Sequence, residues 1–253
     1  MTHPAPATVV APAKLTLRLR VTGVRDDGYH LIDAEMVSLD LADELTFAEP
    51  VGSGESTIVL TGPTAGGLSA GGDNLVARAL RAVGLATHVT VDKRIPHGGG
   101  LGGGSADAAA VFRWAGVDDV GLAASIGADV PFCLRGGRAR VTGIGDVLEP
   151  LPFVEQVVTL ATPGYGCDTA AVYRAWDDLG GPTAEGPNDL EPAALRVEPR
   201  LAAFRDELGD DTGETPVLAG SGSTWFVPGV HPGPGRIVAR TVPAQPFPAE
   251  PRA

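Results

Sequence analysis

The stretch best suited to chemistry is IPHGGGLGGGSADAAA, residues 95–110, in which six of the seven positions from 98 to 104 are glycine. Glycine disfavours a helix and alanine favours one most, so the chain should pass there from an irregular loop into a helix starting near Ser105, a candidate N-cap. Backbone without side chains lets N–H groups converge, and the helix adds its unpaired N–H groups and the positive end of its dipole. Together these suit a polyphosphate. A flexible linker is the plain alternative, but it explains poorly a glycine run pinned between a strand and a helix. The Walker A ending Gly-Lys-Ser/Thr is absent. A dinucleotide fingerprint can be laid on Gly98, Gly100 and Gly103, yet the preceding elements read as antiparallel rather than as a βαβ unit.

Other candidates lie far from this loop in sequence. Lys14 opens KLTLRLRV, a strict alternation with Leu15, Leu17, Leu19 and Val21 on one face. Asp129 stands in GADVPF, and Tyr29 and His30 end the turn RDDGYH. Thr169 and Tyr173 are four apart, hence on one helical face. A second glycine turn, Gly220-Ser221-Gly222, separates two strands. Each has a bland alternative: a solvated strand lysine, a turn aspartate, packing turn residues, a core tyrosine, a plain hairpin.

The elements that must position these residues can be read in outline. Strands are expected over 14–21, 56–62, 87–96 and 157–163, and extended structure with a break near Asp40–Asp43 over 31–47. Helices are expected over 74–84, 105–114, 117–127 and 169–179, and with interruptions over 190–208. Residues 128–151 read as a turn and a β-pair, and 215–227 as strand, glycine turn, strand. A second unit begins near 150–156, giving expected domains 1–152 and 153–253, with a proline-rich, disordered tail from about 243.

The 253 residues carry a net charge of −12 with no basic block, which argues against nucleic acid or an anionic membrane as partner. The two cysteines show no metal-ligand spacing, and no metal-binding residues are expected. No signal peptide or apolar span is apparent, so a cytoplasmic protein is expected, monomeric or a weak homodimer.

PHGGGLGGGSADAA resembles the phosphate loop of the GHMP kinases. Residues 11–45, GADVPFCLRGG (127–137), NDLEP (188–192) and LAGSGSTWFV (218–227) narrow the likeness to that family's diphosphocytidyl-methylerythritol kinases, over about residues 9 to 242. The resemblance implies a two-domain α+β GHMP fold with the active site between the domains. It implies transfer of a phosphoryl group from ATP, with Mg²⁺, to the 2-hydroxyl of the diphosphocytidyl alcohol, in isoprenoid precursor synthesis by the non-mevalonate route. Such transfer needs positioning and charge neutralisation more than covalent chemistry.

By the same resemblance Pro96, His97, Gly98, Gly99, Gly100, Leu101, Gly102, Gly103, Gly104, Ser105 and Ala106 would hold the ATP phosphates. Asn74 and Lys93 would contact the nucleotide, although Asn74 reads equally well as a helix N-cap. Asp129 would take or orient the hydroxyl proton, with Lys14 as its electrostatic partner. Tyr29, His30 and Tyr173 would hold the cytosine, with Thr16, Thr169, Gly220, Ser221 and Gly222 on the substrate side. The chain departs from the family in carrying Thr16 where asparagine is usual, SAD for SSN or SSD, and GSGST for GSGPT. The connections at 114–126 and after Phe226 are also shorter, so the fold should have thinned helical connections. Rival readings are another small-molecule GHMP kinase, a non-catalytic nucleotide-binding relative, and a dinucleotide-dependent oxidoreductase.

Overall fold

The computed structural model describes residues 4–49 and 55–247, arranged as a ten-stranded sheet with seven helices. Its frame is a long antiparallel hairpin of β1 (Ala7–Val24) and β2 (His30–Phe47), closed by a turn in which Gly28 takes φ +84°. The expected break near Asp40–Asp43 takes the form of a register shift in a continuous strand, the pairing with β1 jumping from Ala42 to Ser38, while both aspartates find partners that keep β2 extended. Asp40 accepts the Arg240 N–H at 2.8 Å, and Asp43 turns inward to Lys93.

The hairpin register shifts between Pro12 and Lys14 and again between Thr16 and Arg18. Such irregularities re-aim side chains. As a result Ala13, Lys14, Leu15 and Thr16 are all at most 5% exposed, so Lys14 is not the solvated strand lysine that simple alternation allows.

The far edge of β2 is shared by three strands in succession. β5 (Arg138–Gly143) pairs along 32–37, β10 (Arg236–Val242) at Ser38 and Leu39, and β4 (His88–Asp92) along 44–47. β3 (Thr57–Thr61) lies parallel to β4, and β6 (Val147–Pro150) flanks β5. Beyond β10 come β7 (Val157–Ala161), β9 (Trp225–Pro228) and β8 (Val217–Leu218). The strands from β7 onward therefore join the rest of the sheet through β10 and β2.

Helix α1 (Leu75–Ala82) packs on the central helix α2 (Gly103–Ala115), in which every residue from Ala106 to Trp114 is buried. Its alanines let β1 and the neighbouring helices approach closely, and Trp114 stacks on Phe47 at 4.4 Å. α2 starts at Gly103, two residues earlier than expected. A Cβ on Gly103 would stand 3.3 Å from Ile95, so the first turn is pressed onto the strand end. α3 (Val120–Ile126) is capped by Asp119. α4 (Val130–Arg135), expected as a turn, is a six-residue helix with Pro131 in its first turn, where proline is tolerated.

α5 (Thr169–Asp178) is followed by α6 (Glu191–Val197) and α7 (Arg200–Thr212), the interruption falling at Glu198–Pro199. No helix separates β9 from β10. The tail expected to be disordered from 243 is ordered as far as the structure describes it. Ala244 packs on Gly137, the Gln245 carbonyl accepts from Arg113 at 3.3 Å, and Phe247 packs on the core. Residues 248–253 lie outside the described residues. Among the described residues, no helix is long and apolar enough to cross a membrane.

Candidate active site

Two cavities meet at Gly100. A cleft of about 760 Å³ is lined by Lys14, Thr16, Tyr29, His30, Asp129, Thr169, Tyr173, Gly220 and Ser221 among others. A smaller cavity of about 260 Å³ is lined by Asn74, Lys93, Ile95 and most of the loop from Pro96 to Gly104. Most of the residues expected at the two ends of a transfer reaction thus sort into adjoining compartments, while Gly99, Ser105, Ala106 and Gly222 line neither.

The glycine loop is shaped by its contacts. Gly100 has φ +78°, and a Cβ there would lie 2.7 Å from the Ala219 carbonyl oxygen and 2.9 Å from that of Gly222. The two glycine turns are therefore packed backbone on backbone, and the Thr224 N–H donates to the Gly99 carbonyl at 3.2 Å. Gly102 has φ +70°, and its missing Cβ leaves room for the Lys14 stem, 2.7 Å away at Cγ. The Lys14 N–H donates to the Leu101 carbonyl at 3.0 Å, tying β1 to the loop. Among the described residues, the N–H groups from Gly98 to Ser105 donate to no protein acceptor. A run of unused donors ending at a helix N-terminus is an anion site in waiting.

Lys14 Nζ lies 3.4 Å from Asp129 Oδ2 and donates to the Thr16 hydroxyl at 3.3 Å. Asp129 immediately precedes α4 but makes no capping bond, which leaves its carboxylate to Lys14 and the cleft. Across the cleft His30 Nε2 meets Asp177 at 2.8 Å, and its ring lies 4.6 Å from that of Tyr173. Burial, reinforced by the negative charge of Asp129, holds the Tyr173 phenol above its ordinary pKa. Tyr29 stands 60% exposed at the rim. The Thr169 and Ser221 hydroxyls are 2.9 Å apart, joining α5 to the second glycine turn.

Lys93 is more enclosed than a lysine expected only to contact a nucleotide. It borders the smaller cavity but is 3% exposed, its ammonium held by Asp43 and, at 2.6 Å, by Asp107. Burial alone would lower its pKa, but Asp107 and Asp43 outweigh that and hold it above the ordinary lysine value. Asp107 is pushed up to about 7 by burial despite Lys93, and its Oδ1 has no partner among the described residues. The other Asp43 oxygen accepts the N–H groups of Arg94 at 2.5 Å and Ile95 at 2.9 Å, fixing the chain as it enters the loop.

Asn74 caps α1, its Oδ1 accepting from Val76 at 2.9 Å and its Nδ2 donating to Ser69 at 2.8 Å, while it also borders the smaller cavity. Local pattern gave no signal for Asp43 or Asp107. Asn188 carried a signal only within NDLEP, and it holds the second glycine turn by donating to the carbonyls of Leu218 at 2.9 Å and Gly220 at 2.7 Å.

Comparison with known proteins agrees with this arrangement. The model of the GHMP kinases N terminal domain matches residues 74–137. The 4-diphosphocytidyl-2-C-methyl-D-erythritol kinase of Paracoccus denitrificans (strain Pd 1222) is 40% identical over 241 residues, covering 85% of this chain and 84% of that protein. The same-named enzyme of Granulibacter bethesdensis (strain ATCC BAA-1260 / CGDNIH1) is 37% identical, covering 93% and 89%. A crystal structure of 4-(cytidine 5'-diphospho)-2C-methyl-D-erythritol kinase superposes with a TM-score of 0.74 at 32% identity, covering 93% of this chain and 99% of that one. A crystal structure of mevalonate kinase, 11% identical with a TM-score of 0.56, shares the fold alone; it covers 94% of this chain and 99% of that one.

Proposed function

The chain belongs to the 4-diphosphocytidyl-2-C-methyl-D-erythritol kinase family, and we propose that it is an active enzyme with Lys14 and Asp129 as its catalytic pair. It transfers the γ-phosphoryl group of ATP to the 2-hydroxyl of the diphosphocytidyl alcohol. ATP takes the smaller cavity, with its phosphates on the unpaired N–H groups from Gly98 to Ser105. The cytosine is held by Tyr29, His30 and Tyr173 at the far wall of the cleft. Thr16, Thr169, Gly220 and Ser221 face the remainder of the substrate, with Gly222 holding the turn from behind.

The hydroxyl gives its proton to Asp129 as its oxygen bonds to the γ-phosphorus. The bond to the β–γ bridging oxygen breaks and ADP leaves. Lys14, 3.4 Å from Asp129, orients the carboxylate toward the hydroxyl and offsets the charge that develops on the phosphoryl group during transfer. Mg²⁺ would supply further charge neutralisation when the nucleotide is bound. Cys133 and Cys167 are free thiols, in keeping with the cytoplasm.

The observation that carries this reading is the Lys14–Asp129 pair in a cleft that meets a cavity rimmed by unused amides at Gly100. The test is ADP release from ATP with the diphosphocytidyl alcohol, against mevalonate and homoserine. Turnover is expected with the first alone, and Asp129→Ala should lower it by about 10²–10⁴. Equal turnover of mevalonate would refute the substrate assignment.

A further inference from the structure

We propose that the Arg78 guanidinium binds the phosphoryl group in transit between ATP and the acceptor hydroxyl. The proposal rests on the kinase reading and adds a residue to it. Three observations support it, the first being position. Asn74 and Leu75 border the smaller cavity, while Arg78, one turn further along the same helix face, borders the cleft. Leu75 Cδ1 is 3.5 Å from where a Cβ on Gly104 would stand and 3.9 Å from one on Gly127. The first turn of α1 is thus wedged between the head of α2 and the segment that carries Asp129. Arg78 therefore stands in the cleft, one helical turn from residues that border the smaller cavity.

The second observation is charge. Lys14 is paired with Asp129, and Arg174, also in the cleft, lies 3.8 Å from Asp168. Among the described residues Arg78 has no carboxylate within 4.0 Å, and its one protein bond is to the Ser125 carbonyl, at 3.2 Å. A guanidinium has five N–H donors, so most of this one is uncommitted. The third is demand. The chain's net charge is −12, and Asp129, Asp146 and Asp177 all border the cleft. Two phosphorylated reactants must meet there. A half-buried, carboxylate-free arginine, able to grip two phosphoryl oxygens at once, offsets charge where it builds up.

The competing role is local, because Ser125 lies in the last turn of α3 and a cation there stabilises a helix C-terminus. Steady-state kinetics and calorimetric titration with ADP and with the non-hydrolysable analogue AMP-PNP, both with Mg²⁺, separate the two. Arg78→Ala should lower kcat about 100-fold and weaken AMP-PNP about tenfold while ADP binding holds, as for an arginine that meets the γ-phosphoryl. Arg78→Lys should recover part of the rate, and free guanidinium should partly rescue the alanine variant. Arg81→Ala, the same charge change on α1 outside both cavities, should leave the AMP-PNP to ADP ratio at the wild-type value.

A kcat within threefold of wild type accompanied by a lower melting temperature would overturn the proposal, as would equal losses of ADP and AMP-PNP binding. If the wild-type chain transfers no phosphoryl group, the kinase reading fails, while the AMP-PNP to ADP ratio still decides the role of Arg78.

Discussion

Gly102→Ala tests how tightly the phosphate loop is fitted to the catalytic lysine. Gly102 sits at φ +70° as the N-cap of α2, and the added Cβ would fall 2.7 Å from Lys14 Cγ. The left-handed backbone costs alanine about 1–2 kcal/mol, and roughly half of that returns through the stiffer unfolded chain. From the backbone alone, fold stability should therefore drop by only about 1 kcal/mol. The collision matters more. Carbon atoms sit about 3.5 Å apart at closest comfortable contact, so the Lys14 stem must retreat by about 0.8 Å.

Cγ lies near the root of a side chain only 5% exposed, so the shift carries to Nζ and lengthens its 3.4 Å approach to Asp129. A misplacement of about 1 Å costs on the order of 100-fold in rate. Gly98→Ala supplies the comparison, since Gly98 has a similar φ of +73° but nothing within 4 Å of an added Cβ. Steady-state kinetics and thermal denaturation of both variants form the assay. Gly102→Ala should lose about 100-fold in kcat, and Gly98→Ala less than about tenfold, with Gly102→Ala also melting lower by the cost of displacing the buried Lys14 stem. Equal losses in the two would show that strain in the loop, not displacement of Lys14, limits the enzyme.

Two further substitutions probe the supports of the site. Asn188→Ala leaves the Leu218 and Gly220 carbonyls without their donor. It should cost about 2–4 kcal/mol in thermal denaturation and raise KM for the alcohol more than for ATP. Asp107, pushed up to about 7 by burial from 3.8, keeps its proton in the fold over a range in which the unfolded chain has lost it. The stability it confers is fully present below about pH 4 and is lost as pH rises through about 7, so Asp107→Asn should flatten the decline in melting temperature between about pH 4 and about pH 7. Parallel pH profiles for variant and wild type would contradict that assignment.

What could be read from the sequence was whatever local pattern controls. The glycine run before an alanine-rich helix, the Asn74 cap and the face shared by Thr169 and Tyr173 are properties of a few consecutive residues, and all are present in the structure. The break expected at Asp40–Asp43 is only a register shift in a continuous strand, because two acidic residues look like a turn until their partners, 50 and 200 positions away, are known. The pairing of Lys93 with Asp43 is hidden for the same reason, since nothing near the lysine in sequence announces a partner 50 positions away. The burial of Lys14 depends on a register shift in a hairpin, which alternation alone conceals. α4 was missed because six residues containing a proline carry too little periodicity to distinguish a helical turn from a loop.

The most direct test of the account is a crystal structure of the chain with AMP-PNP, Mg²⁺ and the diphosphocytidyl alcohol. The account predicts the triphosphate on the amides between Gly98 and Ser105, with the 2-hydroxyl in hydrogen-bond reach of Asp129. A nucleotide bound elsewhere, with that loop facing solvent and Asp129 out of reach of the alcohol, would contradict it.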